Sequence, residues 1–305
     1  MPKLSRPLRL GTRDSPLALA QARLAAEALR AVHGWGEQDI EIVPITTTGD
    51  VVQDRPLAEI GGKALWTKEL DRALADGVTD ASVHSMKDVE TVRPPEFVIA
   101  AYLPRAATGD RLIGAGSLDE LQDGATVGTS SPRRKAQLLA RRPDLNVVPI
   151  RGNVQSRIAK VGEEVDATLL AAAGLERLGL GHVGAPLDDF LPAPAQGAIG
   201  IEARADDAET RALLRPVNDD RAFVTVEAER RFLLAIGGNC HSAVAAAASS
   251  HSSAMFMRAE ILSPDGSEVH SADEELHGED FLSPGDLARQ LLSRASPALR
   301  AMFAA

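Results

Sequence analysis

Three stretches of the sequence gather groups that can do chemistry. AIGGNCHSAV, residues 235–244, holds the chain's single cysteine, Cys240, between a Gly-Gly-Asn turn and His241. A lone thiol is most often a small buried hydrophobe, yet one on a glycine-flanked loop is accessible and can act as a nucleophile once ionised. On residue type alone the inert reading outranks the reactive one. HSMKDVE, residues 84–90, places the imidazole of His84, the ammonium of Lys87 and the carboxylate of Asp88 within five residues. An ordinary polar loop explains that composition as well, and Lys87 and Asp88 can simply pair. His84 reads as a structural hydrogen-bonding residue, because no second His or Cys stands at metal-ligand spacing.

The third stretch is basic. Between residues 130 and 160, eight cationic side chains (Arg133, Arg134, Lys135, Arg141, Arg142, Arg151, Arg157 and Lys160) face one carboxylate, Asp144, a net +7 in a chain of −10. A solvated helix face is the usual explanation of such a run, and it suits Arg141 and Arg142. It suits Arg133 and Arg134 less, since they follow GTSSP at a predicted helix start. Exposed cations there oppose the helix dipole at about 0.3–1 kcal/mol each. An anionic ligand reverses that sign, and guanidinium forks grip carboxylates bidentately. The expected ligand is therefore a small polyanion. Nucleic acid is a poor fit, because aromatic residues are not interleaved with the basic ones.

Alternating elements must position these groups. Strands are predicted at 8–10, 40–46, 81–85, 97–103, 125–129, 146–150, 166–174 and 196–204, and helices at 16–31, 67–77, 130–142 and 153–162. That βα alternation implies sheets with helices on their faces. The junctions Leu10-GTRDSP and Val127-GTSSP both run strand, Gly-Thr, Ser-Pro, helix. Ser is a good N-cap and Pro suits the first turn, so two helices that start well explain the match. Two related α/β domains, each aiming a helix N-terminus past a strand's carboxyl end, explain it too, and that is where such sheets bind anions. The end of the chain differs: a helix over 221–238, a hairpin around SPDG within 254–272 and a helix over 285–295 suggest a third, smaller domain, entered through the Cys240 loop.

Bulk properties narrow the classes. The chain's 305 residues allow two or three domains. One cysteine excludes a disulfide scaffold and suits a reducing compartment. The N-terminus lacks signal-peptide character and no apolar run spans a bilayer, so a cytoplasmic protein is expected. GGKALWTKEL, 61–70, is a Gly-rich loop before a helix, but it is neither a phosphate-binding loop nor a dinucleotide fingerprint.

In chain order, GTRDSPLALAQA, TTTGD, GGKALWTKELDRAL, HSMKDV, VGTSSPRRKAQL, RRPDL, IRGNVQSRI, AAAGLERLGL, AQGAIGIEAR and the Cys240 loop together resemble the porphobilinogen deaminase (hydroxymethylbilane synthase) family. The resemblance implies an α/β fold of three domains: two periplasmic-binding-protein-like lobes around a cleft, and a small α+β C-terminal domain carrying the cofactor cysteine. Expected boundaries are 1–103 with 198–219, 104–197, and 220–305. Also implied is a dipyrromethane cofactor, made from the enzyme's own substrate and held by a thioether to Cys240. Four porphobilinogen units are then added head to tail, each losing ammonia, before water releases hydroxymethylbilane. By the same resemblance, Asp88 is the catalytic carboxylate. Arg13, Lys87, Arg133, Arg134, Arg151 and Arg157 are cleft cations, and Ser15, Thr129, Ser130 and Ser131 are anion contacts at helix termini. Gln196 marks a hinge, and Trp66 lies near the cofactor. A monomer without metal, nucleic acid or membrane partner is expected.

The sequence also departs from the family's pattern. Glu90 replaces the proline usual after Lys-Asp-Val, which predicts a looser loop. GGNCHSAV lacks the usual proline after the cysteine, Asn239 and His241 are atypical, and AVAAAASSHSS is unusually small and polar. Two readings from other classes stay open: a non-catalytic two-lobed anion-binding protein, which has no use for Cys240 or Asp88, and a cysteine hydrolase, which needs a paired histidine. An inactive homologue is a third, although every matching key position keeps its residue type.

Overall fold

The computed structural model describes residues 4–47, 67–238, 242–251, 254–276 and 283–303. In chain order the elements are β1 (Leu8–Arg13), α1 (Pro16–His33), β2 (Ile40–Ile45), α2 (Lys68–Ala75), β3 (Ala81–Ser85), β4 (Phe97–Tyr102), β5 (Asp110–Ile113), β6 (Thr126–Gly128), α3 (Pro132–Arg141), β7 (Asn146–Val148), α4 (Val154–Ala159) and β8 (Ala167–Ala171). Then follow α5 (Ala172–Arg177), β9 (Ala185–Leu187), β10 (Ile199–Arg204), α6 (Ala208–Leu214), α7 (Asp220–Ala235), β11 (Val244–His251), β12 (Ala254–Leu262), β13 (Val269–Leu276), α8 (Ser283–Arg294) and α9 (Pro297–Ala301). They divide into two compact units, residues 1–106 with 198–223, and 107–197 with 224–305.

The first unit is built on a five-stranded sheet, β2-β1-β3-β10-β4. β1 is parallel to β2 and β3, while β10 runs antiparallel to β3 and β4. Helix α1 starts where the sequence says it should: Ser15 accepts from the Ala18 N–H, and Pro16 follows. It ends at Gly34, whose left-handed φ of 66° lets its N–H cap the Arg30 carbonyl. Its Ala22, Ala25, Ala26 and Leu29 pack against Leu10, Val83 and Ile201 of the sheet. Small alanines bring helix and sheet close, which suits a chain poor in aromatic residues.

The second unit carries a sheet of the same plan, β7-β6-β8-β5-β9, with β6 parallel to β7 and β8, and β5 antiparallel to β8 and β9. Helix α3 follows β6 as α1 follows β1: Ser131 caps it by accepting from the Arg134 N–H, and Pro132 comes next. The two junctions that look alike in sequence therefore occupy equivalent places in two sheets of equivalent order. In the first sheet the antiparallel fourth strand, β10, comes from beyond residues 107–197 of the other unit, whereas in the second sheet β5 directly precedes the strands it joins.

The same unit holds the three-stranded antiparallel sheet β11-β12-β13. On it Phe232 and Ile236 from the region of α7, Leu287 and Leu291 of α8, and Leu299 pack against Met257, Ala259 and Ile261. The Ala- and Ser-rich stretch noted as unusually small and polar contains strand β11. Its Ala245 and Ala246 are fully buried, and the Ala246 N–H donates to Pro192 O at 3.0 Å.

Other differences have local causes. DATLLAAAG is read as one strand, but β8 ends at Ala171 and α5 begins at Ala172 with no turn residue between them. β5 and β9 are four and three residues long, too short for a period to show. HSMKDVE is not an open loop: Met86–Asp88 forms a 3₁₀ turn directly after β3.

Candidate functional site

Parallel pairing of β1 and β3, with Leu10 beside Ala81 and Gly11 beside Ser82, makes the two strands end together. Past those carboxyl ends lies an open pocket lined by Arg13, Ser15, Gln21, Thr67, His84, Ser85 and Asp88 among others. This is the crevice an open α/β sheet offers a ligand. Arg13 is the last residue of β1, Ser15 caps the 18-residue α1, and Asp88 closes the 3₁₀ turn. Lys87 is exposed beside Asp88 and is not among the lining residues.

The turn rests on a plug. Met86 is 1% exposed, and its N–H donates to Ala198 O at 3.1 Å. Gly200 makes room for it: a Cβ there would fall 2.2 Å from Met86 Sδ. Gln21 and Ser85 exchange hydrogen bonds at 2.7 and 3.1 Å across the pocket floor. Behind them, His84 Nε2 lies 3.0 Å from Glu202 Oε2. Burial alone would raise the Glu202 carboxyl, but His84 and Arg93 hold it down at about 2. His84 is thus the structural hydrogen-bonding residue its context suggested. Glu90 does not loosen this loop. It is ion-paired to Arg93 at 2.6 Å and accepts from Thr67 Oγ1 at 2.9 Å.

The basic stretch separates into three groups, all in the second unit. Thr129, Ser130 and Ser131 follow β6, and the Thr129 N–H donates to Val148 O at 2.8 Å, which brings the ends of β6 and β7 together. Ser130 Oγ donates to Ile150 O at 2.6 Å, so Arg151 follows on the same side. Arg151 and Arg157 are half-buried, and Arg157 Nε donates to Gly152 O at 2.9 Å. Arg133 and Arg134 are instead buried, at 3% and 6% exposure. The anion that offsets the unfavourable helix dipole is an internal one, Asp110. Its carboxylate lies 2.8 Å from Arg133 Nη2 and 2.7 Å from Arg134 Nη2. Burial pushes the Asp110 carboxyl up, yet the two guanidiniums hold it well below the usual carboxylate range. Arg141 lies on the surface as expected, over the Phe190 ring at 4.6 Å, whereas Arg142 is half-buried, paired with Asp144 at 2.8 Å and donating to Leu118 O at 2.7 Å.

Gln196 is 1% exposed and donates from Nε2 to Thr108 O at 2.6 Å and to Asp110 Oδ1 at 2.8 Å. It ties the segment leading into β10 to the segment leading into β5. Its neighbour Ala195 has φ 63°, the only left-handed non-glycine among the described residues, and the Ala195 N–H is held by Glu229 at 2.6 Å. Cys240 and Trp66 fall outside the described residues. Gln21, Ser85, Arg93, Asp110, Glu202 and Glu229 went unread in the sequence. Gln21, Ser85 and Glu202 lie inside motifs that the sequence singled out, whereas Arg93, Asp110 and Glu229 carry no such signal.

The family model "Porphobilinogen deaminase, dipyromethane cofactor binding domain" matches residues 8–212, and "Porphobilinogen deaminase, C-terminal domain" matches 223–292. The chain belongs to the porphobilinogen deaminase family. A porphobilinogen deaminase of Sphingopyxis alaskensis is 51% identical over 98% of this chain and 97% of its own, and one of Paracoccus denitrificans is 48% identical over 97% and 96%. A periplasmic substrate-binding protein of an ABC transporter from Coxiella burnetii aligns over 71% of this chain and 94% of its own, at 17% identity and a TM-score of 0.44.

For this deaminase family the question is whether the donors suit dipyrromethane, whose rings carry acetate and propionate groups. They do. Arg13 and the Ser15 cap supply a guanidinium and a helix N-terminus in one pocket with an acceptor for pyrrole N–H, Asp88. In the second unit, Arg133 and Arg134 each keep a buried Nε with no hydrogen-bond partner. Among the described residues, no cluster of His, Cys, Asp or Glu would hold a metal, and no helix is long and apolar enough to cross a membrane.

Proposed function

We propose that this chain is a working hydroxymethylbilane synthase. As a transferase, it deaminates four porphobilinogen molecules, joins them head to tail and releases the linear tetrapyrrole by hydrolysis. The observation that carries the reading is the convergence of Arg13, Ser15 and Asp88 on one pocket beyond β1 and β3. Residues 8–212, which contain that pocket, match the family's cofactor-binding domain.

The roles follow from charge. Each porphobilinogen brings two carboxylates, which Arg13 and the N-terminus of α1 attract through formal charge and helix dipole. Asp88 accepts the pyrrole N–H. Its fixed negative charge stabilises the cation that develops on the substrate as the C–N bond of the aminomethyl group breaks, ammonia leaves and the methylene carbon stays on the ring. It also takes up the ring proton released when the new carbon–carbon bond forms. Lys87 adds a second cation at this rim. Thr129, Ser130, Ser131, Arg151 and Arg157 offer later carboxylates the same hydroxyl and guanidinium contacts, with Arg133 and Arg134 behind them. Cys240 would hold dipyrromethane as a thioether, with Trp66 the aromatic residue assigned to its neighbourhood, and the group when bound would supply the pyrrole end to which substrate units are joined. Gln196 serves as a hinge position. The enzyme so read works in the cytoplasm as a monomer, with no metal, nucleic acid or membrane partner.

The deciding experiment is the intact denatured mass of the wild type beside Cys240→Ser. A dipyrrole adduct present only in the wild type supports the reading. No adduct, before or after incubation with porphobilinogen, overturns it in favour of a non-catalytic anion-binding protein.

A further inference from the structure

One buried ion pair holds both ends of the turn that carries Asp88. Before the turn stands His84, bonded to Glu202 at 3.0 Å. After it comes Glu90, whose Oε2 accepts from Arg93 Nη1 at 2.6 Å. Arg93 and Glu202 join the two ends: Nε donates to Oε1 at 2.7 Å, and Nη2 to Oε2 at 3.0 Å. Arg93 Nη2 also reaches Asp71 on α2 at 2.6 Å. One guanidinium, 7% exposed, thus serves three carboxylates from three parts of the first unit. Thr67, which donates to Glu90, lines the same pocket as His84 and Asp88.

Such a network is a poor source of stability, since an apolar replacement of like volume is often as stable. What it does well is fix geometry. At the exit of the turn the Val89 N–H donates to Met86 O across a long 3.3 Å. A displacement of about 1 Å at a reacting centre costs roughly 10²-fold in rate. We infer that Arg93, acting through Glu90 and Glu202, is a positioning residue that fixes the entry and exit of the Asp88 turn. The inference rests on the reading of Asp88 as the carboxylate at the reacting centre.

The test uses the holoenzyme and three variants, Glu90→Gln, Arg93→Met and Arg93→Lys. Readouts are steady-state kinetics with porphobilinogen, amide hydrogen exchange across residues 85–91, and thermal unfolding. Glu90→Gln is expected to lower kcat roughly tenfold at unchanged KM, to speed exchange at Met86–Val89 and to leave the unfolding midpoint in place. Arg93→Met should lose about 10²-fold, and Arg93→Lys should recover part of that. Wild-type kcat and wild-type exchange in Glu90→Gln, which folds even where Arg93→Met does not, would overturn the inference. So would a lower unfolding midpoint with no local change in exchange. A wild type that does not turn over would instead refute the functional reading. The exchange comparison needs no turnover and still decides the positioning role.

Discussion

The Asp110 carboxylate lies 2.7 Å from the Arg134 guanidinium, and neither side chain is more than 7% exposed. The same carboxylate faces Arg133 at 2.8 Å. Removing it strands two buried cations, a change that costs about 3–5 kcal/mol when a buried pair is broken from one side. Asp110→Ala should therefore unfold at clearly lower urea concentration than the wild type. Arg134→Leu leaves Arg133 to balance Asp110 and should lose less stability. It should nevertheless weaken cofactor assembly or initiation, read as a reduced adduct in the intact mass. Full occupancy and normal initiation would confine this arginine to a structural role.

Asp88 is exposed and stands apart from such buried pairs. Asp88→Ala should keep the wild-type unfolding midpoint and circular dichroism while turnover falls by at least about 10³-fold, the scale of losing a preorganised electrostatic group. Near-normal turnover in that variant would remove its assigned role.

Gly200 is the room in which Met86 sits, and Met86 lies at the foot of the Asp88 turn. Gly200→Ala drives a methyl into Met86 Sδ, at a cost of roughly 1–3 kcal/mol for overpacking. Turnover should fall more than stability does, because the displaced plug moves the turn. A paired loss, in which kcat per folded molecule stays at the wild-type value, would mean that the turn does not follow its plug.

Acid should destabilise the first unit through its depressed carboxyl groups. Glu202 is held at about 2, against burial, by His84 and Arg93, and Asp80 is held lower still, against burial, by Arg6 and Arg9. A folded pKa below the unfolded value gives stability that is present above about pH 4–5 and lost as pH falls toward 2. For Glu202 that contribution is about 3 kcal/mol. Asp71 opposes it: burial raises its carboxyl, so its contribution is present in acid and fades as pH rises. Asp207 adds a third depressed carboxyl in this unit, held down against burial by Thr210 and Arg204, so three depressed groups against one raised group leave a net loss on acidification. Urea midpoints between pH 6 and 3 should fall in the wild type and fall less steeply in Glu202→Gln.

Local signals in the sequence carried far. Ser-Pro helix starts announce themselves within a few residues, so α1 and α3 were readable, and with them the places of Ser15, Arg13 and Ser131. HSMKDV directly after a short apolar strand put Asp88 at a strand's end. Distant partners left no such mark. Arg93 meets Glu202 across 109 residues, and Glu229 meets Ala195 across 34. β11 hid because alanine and serine have low strand propensity; its burial against the rest of the second unit, not its composition, makes it a strand. Arg133 and Arg134 read as ligand cations because the charge run is local, while Asp110, which pairs with both, lies upstream in a stretch with no pattern.

The interleaved strands also govern how the chain is made. β3 and β4 do not pair with each other; β10 lies between them and supplies the bonds to both. A nascent chain that has passed Tyr102 holds four of that sheet's strands and must wait until Ile199–Arg204 leaves the ribosome, on the order of 5–20 s of synthesis. β5 is made before β6–β9, so the second sheet has all its strands first. The five-stranded sheet translated first is therefore completed after the second one, and truncation anywhere before β10 leaves it open at its centre.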